Sequence, residues 1–375
     1  MKYYCAQCGR EYSVTDLVWR CTCGGYLNSR GNFLLRRGDV VKDQVSLWRY
    51  EKALPLTLQE STTRFQEGFT PLVETPWQGR KILFKVDYLM PTGSFKDRGN
   101  AILVNFLRKL GVQRVVEDSS GNAAASIAAY CAAAGIECDL FVPATTSAGK
   151  LVQITMYGAK LHRISGSRED VAAKAMEAGE QTFYASHNWH PLFIEGTKTL
   201  AFEIWEQLGW RAPENVIVPV GMGSALLGLA KGFQELLTAG EIESMPHLYA
   251  IQAQNCAPLY RAFTGEKGQM NPLPTVAEGV ACARVIRTEE IINTVVESGG
   301  VIEAVTEEEI VQALIKAATL GYYVEPTSAV ALAGMDRLCQ RGLLAAEADT
   351  VVLLTGSGLK ATDKISDLIK NKNIK

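Results

Sequence analysis

The chain has 375 residues, with 38 Lys plus Arg against 40 Asp plus Glu, a formal net charge of -2 and 47% hydrophobic residues. That balance excludes intrinsic disorder, and it leaves no basic surplus to neutralise nucleic-acid phosphates or coat an anionic membrane. The length suits a large core spread over two or three domains, and no apolar run approaches the ~20 residues of a membrane span.

The opening MKYYCAQCGREY has no apolar signal segment, so a cytoplasmic location is expected. Nine cysteines is an odd count for a long chain and argues against a disulfide framework. Four of them crowd together as Cys5-Ala-Gln-Cys8, twelve residues, then Cys21-Thr-Cys23. Clustered thiols in a reducing compartment read as a structural zinc-ribbon-like site, because four thiolates fold a segment too small for its own core. A vestigial ribbon without metal is the alternative, and the lack of histidine in the segment argues against catalytic zinc.

The Arg-rich stretch from Asn28 to Arg49 reads as a connection. From about residue 81, apolar runs alternate with amphipathic segments. Strands are expected at 82–86, 114–117, 139–142, 216–218, 248–251 and 351–354, with helices at 95–110 and 121–134. Strands alternating with helices imply βαβ units, mainly parallel sheets and a layered α/β architecture.

Four segments fall where strands hand over to helices, the usual ligand-binding position in α/β proteins. In Pro91-Thr92-Gly93-Ser94-Phe95-Lys96-Asp97-Arg98-Gly99, a lysine just inside a helix start has its ammonium disfavoured by the helix dipole. Such an amine is suited to covalent attachment to an aldehyde, and a solvated surface lysine is the competing reading. Ser119-Ser120-Gly121-Asn122 offers hydroxyls, an amide and backbone N–H groups to a carboxylate or phosphate, or is a plain N-cap. Pro219-Val220-Gly221-Met222-Gly223-Ser224-Ala225 can cradle a phosphate, although a lone Gly-x-Gly is weak evidence. Leu354-Thr355-Gly356-Ser357-Gly358 ends a strand with a hydroxyl between glycines and apolar residues.

Together with EGTKTLAFE, ESGGVIEAVT and VEPTSAVALAG, these segments resemble the fold-type II pyridoxal-phosphate enzymes, most closely the threonine synthases. The resemblance covers nearly the whole chain. It implies two three-layer αβα domains with mainly parallel sheets and the cofactor in the cleft between them, plus the small N-terminal knob. The implied boundaries are 1–27 for the cysteine segment, 28–90 with 194–375 for the larger cofactor-binding domain, and 91–193 for the smaller domain.

By the same resemblance, Lys96 carries pyridoxal 5'-phosphate and serves as general base at Cα, with Phe95 packed beside it. Asn122 bonds the phenolic oxygen of the cofactor. Gly221, Met222, Gly223, Ser224 and Ala225 hold its phosphate, and Thr355 faces its pyridine nitrogen. Ser119, Ser120, Gly121 and Asn188 take the substrate. Glu325 reads as architectural, and His187 and His190 either line the pocket or cap a turn.

One family feature is missing. Threonine synthases commonly carry Asn-Pro-x-Arg before the Glu195-Gly196 pair, whereas here the stretch is His190-Pro191-Leu192-Phe193. Phe193 therefore stands where an arginine would bind the substrate phosphate, and a phenyl ring cannot replace bidentate recognition. Ala123 stands where a second hydroxyl is common. Glu117 and Asp118 replace small residues, and if turned inward they would repel a phosphate. Lys150 or Lys198 would be the compensating cation. The expectation is a lyase that converts O-phospho-L-homoserine and water to L-threonine and phosphate. The alternative is a serine/threonine dehydratase-like enzyme that eliminates or replaces at Cβ on an unphosphorylated or differently activated amino acid. A homodimer with no nucleic-acid or membrane partner is expected in either case.

Overall fold

The computed structural model of the chain describes residues 1–268 and 271–372. In chain order it begins with β1 (Lys2–Cys5), β2 (Glu11–Ser13), β3 (Leu27–Arg30), β4 (Leu72–Trp77) and β5 (Arg80–Val86). There follow α1 (Lys96–Lys109), β6 (Arg114–Glu117), α2 (Asn122–Ala134), β7 (Glu137–Pro143), α3 (Ala148–Met156), β8 (Lys160–Ile164) and α4 (Arg168–Gly179). Next come α5 (Pro191–Thr197), α6 (Thr199–Gln207), β9 (Asn215–Pro219), α7 (Ser224–Thr238), β10 (His247–Ala253) and α8 (Pro258–Thr264). The chain closes with α9 (Thr288–Glu297), β11 (Ile302–Val305), α10 (Glu307–Thr319), α11 (Pro326–Gln340), β12 (Thr350–Leu354) and α12 (Thr362–Lys372). No described helix is long and apolar enough to cross a membrane.

Two compact units result, Met1–Gly68 with Lys96–Thr199 and Phe69–Phe95 with Leu200–Lys375. The first holds the parallel sheet β6-β7-β8, extended beside β6 by a parallel bridge from Val116 to Tyr184. The second holds a six-stranded sheet ordered β11-β10-β9-β12-β5-β4, parallel except for β4. Its central strands β9 and β12 are buried along their whole length, as parallel strands covered on both faces must be, and they are correspondingly Val- and Leu-rich.

Residues 28–68 belong to the first unit, where the sequence reading grouped them with 194–375. The reason is side-chain pairing within that unit. The Asn105 amide of α1 exchanges hydrogen bonds with the Thr63 backbone, Lys109 pairs with Glu60, and Phe65 meets Tyr130 of α2 edge-on. The boundary at residue 90 likewise lies instead between Phe95 and Lys96.

The cysteine segment is not free-standing either. β2-β1-β3 forms a small antiparallel sheet whose Tyr3, Trp19 and Leu27 join the hydrophobic core of the first unit. Tyr3 packs edge-on against His190, and Trp19 does the same against Tyr184 and Trp189. The Ser29 hydroxyl donates to Glu195 at 2.6 Å in the interior.

Helix α5 starts with Pro191 at a position where its missing N–H costs nothing, and His190 Nδ1 caps the Leu192 amide. It crosses α1 at a glycine pair. A Cβ on Gly196 would strike the Arg98 carbonyl oxygen, and one on Gly99 would lie 2.5 Å from Cγ and Cε2 of Phe193.

Candidate active site

Lys96 is the first residue of α1, as the helix-start reading requires, and its side chain is partly exposed. Its Nζ lies 5.6 Å from the centroid of the buried Phe193 ring. Asn122 is the first residue of α2, and Ser119, Ser120 and Gly121 form the turn that delivers the chain from β6 into that helix. The first unit therefore presents Lys96 and the Ser-Ser-Gly-Asn turn at the N-terminal ends of two packed helices.

Behind that turn lies a buried polar cluster. The backbone N–H of His187 donates to Glu117 Oε2 at 3.0 Å, and its Nδ1 lies 3.3 Å from Glu117 Oε1. Burial and then the Asp118 charge hold the Glu117 carboxyl well above the ordinary carboxylate range. Burial, followed by the cations Lys96 and Arg168, keeps His187 well below its usual value. Asp118 accepts the Tyr184 hydroxyl at 2.6 Å and pairs with the half-exposed Arg168 at 2.6 Å. Both carboxyl groups that replace small residues are thus engaged, Asp118 with Arg168 and Tyr184, and Glu117 with His187, where burial disfavours its charged form.

The histidines separate cleanly. His190 is buried and spent on capping α5 and packing against Tyr3 and Phe183. His187 reaches the Phe193 ring, with centroids 5.6 Å apart. Asn188 adjoins it, and its N–H donates to the Ser186 hydroxyl. Of the two lysines considered as compensating cations, Lys198 is fully buried against Glu195 at 2.6 Å and stands over Phe33, while Lys150 is exposed in the first turn of α3.

In the second unit, Gly223 caps α7 in a left-handed conformation at φ +86°, available without strain only to glycine. The first intrahelical bond runs from Leu227 N–H to the Gly223 carbonyl, so the amides of residues 224–226 head a buried helix end. Gly221 backs this turn closely enough that a Cβ would meet Val280 Cα at 3.1 Å and Cys282 Sγ at 3.2 Å. A helix end with an αL glycine cap and Ser224 beside it is a donor set that fits a phosphate.

Thr355 follows β12 and is buried, and its carbonyl accepts the N–H of Phe95 at 3.0 Å. Its hydroxyl lies 3.1 Å from Ser328 Oγ and donates to Glu325 Oε1 at 3.3 Å. Ser328 also accepts the Thr355 and Gly356 amides. Glu325 lies so close over Gly356 that a Cβ there would run into its carboxyl group. Glu325 thus orients the Thr355 hydroxyl. Ser328 was missed by sequence reasoning, since a serine inside an Ala-rich helix carries no positional signal.

The four N-terminal sulfurs lie within 4.8 Å of one another, with Cys5 to Cys23 and Cys8 to Cys21 both at 3.5 Å. The Tyr12 hydroxyl donates to Cys21 Sγ at 3.0 Å. The spacing and softness of these donors fit a tetrahedral thiophilic ion.

Residues 63–356 match the family model described as pyridoxal-phosphate dependent enzyme. The chain is 34% identical to the threonine synthase of Methanocaldococcus jannaschii, over 96% of this chain and 93% of that protein. It is 33% identical to the threonine synthase of Methanosarcina acetivorans, over 99% and 95% respectively. Among solved structures, a T.th. threonine deaminase superposes with a TM-score of 0.64 at 26% identity, covering 80% of this chain and 98% of that one. The chain belongs to the pyridoxal-phosphate dependent enzyme family, on its threonine synthase-like branch.

Proposed function

We propose that the chain is a threonine synthase, a lyase that releases phosphate from O-phospho-L-homoserine and adds water to give L-threonine. The carrying observation is Lys96 at the first residue of α1 in a chain matching the M. jannaschii threonine synthase over 96% of its length. Pyridoxal 5'-phosphate would be held by Lys96, Phe95, Asn122 and the residues from Gly221 to Ala225, with Thr355 against its ring nitrogen. When bound, it supplies the electron sink that makes the Cα proton removable. Ser119, Ser120 and Gly121 bind the substrate carboxylate with a hydroxyl and amides at the helix start, and Asn188 lies on the substrate side. The Lys96 amine takes the Cα proton and returns one there. The Cγ–O bond to phosphate breaks with loss of a proton from Cβ, a proton is added at Cγ to complete the methyl group, and hydroxyl from water enters at Cβ while the other water proton is released. Thr355, tethered by Glu325 and Ser328, presents a neutral hydroxyl rather than a carboxylate, which suits elimination and addition better than transamination.

Product analysis tests this reading. Cofactor-loaded protein given O-phospho-L-homoserine should release threonine and phosphate in equal amounts, and Lys96→Ala should abolish both. Failure with that substrate, together with 2-oxo acid and ammonia from L-serine or L-threonine, would replace it with the dehydratase reading. Borohydride reduction should fix a pyridoxyl group on the peptide containing Lys96.

Cys5, Cys8, Cys21 and Cys23 are proposed to hold one structural zinc, with Tyr12 donating to a thiolate. Metal analysis should find about one zinc per chain, lost on replacing Cys5 and Cys8. A metal-free, fully folded protein would leave only a vestigial ribbon. A cytoplasmic homodimer completes the proposal, with sedimentation as its check.

A further inference from the structure

The hydrogen bonds around Thr355 have a direction that follows from counting donors and acceptors. Ser328 Oγ is fully buried in α11 and lies 2.9 Å from the Thr355 amide and 3.1 Å from the Gly356 amide. A hydroxyl oxygen has two lone pairs, and those two amides take both. The Ser328 proton then has two acceptors within reach, Thr355 Oγ1 at 3.1 Å and the Gly356 carbonyl at 3.4 Å. The carbonyl already accepts the Glu325 N–H at 2.9 Å, and the hydroxyl is nearer, so Ser328 donates to Thr355. The Thr355 proton goes in its turn to Glu325 Oε1, 3.3 Å away. Glu325 is the N-cap residue of the 15-residue α11, where the positive end of the helix favours a charged carboxyl group. Ser328, Thr355 and Glu325 thus form a one-way chain that ends on an anion. The Thr355 oxygen is left with one lone pair to offer, and no proton.

We propose that Glu325 is a positioning residue that makes Thr355 an acceptor only, so that the pyridine nitrogen of the bound cofactor is held protonated. This rests on the reading that sets Thr355 against that nitrogen, and it does not depend on which amino acid is turned over. A hydroxyl by itself is indifferent, since it donates to a bare nitrogen or accepts from a protonated one. With its proton committed to a carboxylate, it can do only the second. The bond it then accepts comes from a ring cation, with an anion one hydroxyl further on, and is of the stronger, charge-assisted kind. The hydroxyl itself stays neutral; what Glu325 sets is where the ring proton rests. A protonated ring draws electrons more strongly, which suits a reaction that removes protons from both Cα and Cβ.

The test uses the holoenzyme without substrate, loaded with pyridoxal 5'-phosphate that carries nitrogen-15 in its ring. The nuclear magnetic resonance shift of that nitrogen at neutral pH is read against the free cofactor imine in acid and in alkali, which mark the protonated and bare limits. Wild type should lie near the protonated limit. Glu325→Gln keeps the size of the side chain and removes the charge at the end of the chain. It should lower the ratio of protonated to bare nitrogen about ten- to a hundredfold, the range for one hydrogen bond to a charged group. A purely structural role for Glu325 would weaken cofactor retention without moving the shift. A bare nitrogen in wild type, or an unmoved signal in Glu325→Gln, overturns the inference. Because the wild-type shift is decisive by itself, a variant that fails to fold leaves the question answerable. Thr355→Val separates the inference from the reading beneath it. A signal that moves in this variant keeps Thr355 against the nitrogen whatever becomes of Glu325, whereas one that stays in place removes both.

Discussion

Gly99→Ala probes the contact that sets Phe193 against the first turn of α1. The new methyl would lie 2.5 Å from two ring carbons, about 1 Å inside ordinary carbon–carbon contact. The ring cannot retreat freely, because Phe193 is fully buried and His187 abuts it. Forcing a methyl into a packed site costs about 1–3 kcal/mol, while replacing glycine by alanine inside a helix recovers about 1 kcal/mol. The net expectation is a loss of about 1 kcal/mol, a small difference between opposed effects. A second variant separates them. Phe193→Leu removes the obstructing ring edge, so Gly99→Ala in that background should keep its helix gain without the clash. The two substitutions should therefore be non-additive by more than about 1 kcal/mol, well beyond the ~0.5 kcal/mol seen for independent sites. Urea unfolding of the four proteins, followed by tryptophan fluorescence, gives the cycle. If Gly99→Ala alone stabilises by the full helix increment, or if the cycle closes additively, the close approach of Phe193 to α1 is refuted.

Other expectations concern buried charge. Lys85 Nζ is fully buried and contacts Glu203 at 2.6 Å, the Thr70 carbonyl at 2.7 Å and Gln207 at 3.0 Å. Lys85→Met should cost about 3–5 kcal/mol by stranding the Glu203 charge. Adding Glu203→Leu should not restore stability, because the Phe69 and Thr70 amides lose their acceptor; full recovery in urea titrations would contradict this. His187 has a folded pKa below its unfolded value near 6.5, so the neutral form is favoured in the fold. The stability it contributes is present above pH 6.5 and lost as pH falls toward the folded pKa, so wild type should weaken relative to His187→Gln between pH 7.5 and 5.5. Parallel unfolding curves at both pH values would exclude that linkage. Gly196→Ala should fail to accumulate as folded protein, because its methyl meets the Arg98 backbone rather than a movable side chain. Normal yield and circular dichroism would show that the helix crossing is looser than described.

The central strands were legible because they are continuous apolar runs. The expected strand at 351–354 lies inside β12, and that at 114–117 coincides with β6. Strands β4 and β8 were not foreseen, and both lie at sheet edges. β4 contains Pro76 and exposed Glu74, and β8 is interrupted by His162 and Arg163, so neither shows the unbroken pattern of a covered strand. The helix expected from Phe95 begins one residue later, because the Phe95 amide is drawn into a bond with the Thr355 carbonyl. Within the candidate site, Lys96, Asn122 and the Gly221–Ala225 turn were visible as strand-to-helix handovers. The pairing of Glu117 with His187 was not, since 70 residues separate two polar groups that no local spacing connects.

The packing of the cysteine segment against Trp189, His190 and Glu195 has a consequence for the order of folding. Ser29 and Glu195 are 166 residues apart in the chain, yet they share an interior hydrogen bond. Strands β1 to β3 can pair locally as soon as they are made, but the face bearing Tyr3 and Trp19 has nothing to cover it until residues 184–195 have been synthesised and folded back. Contacts of such high sequence separation form slowly, and an uncovered aromatic face is vulnerable to association in the interval. Drawing the four thiols together early would keep this small sheet in register while it waits for its complement, which would give the N-terminal cysteines a part in folding as well as in stability.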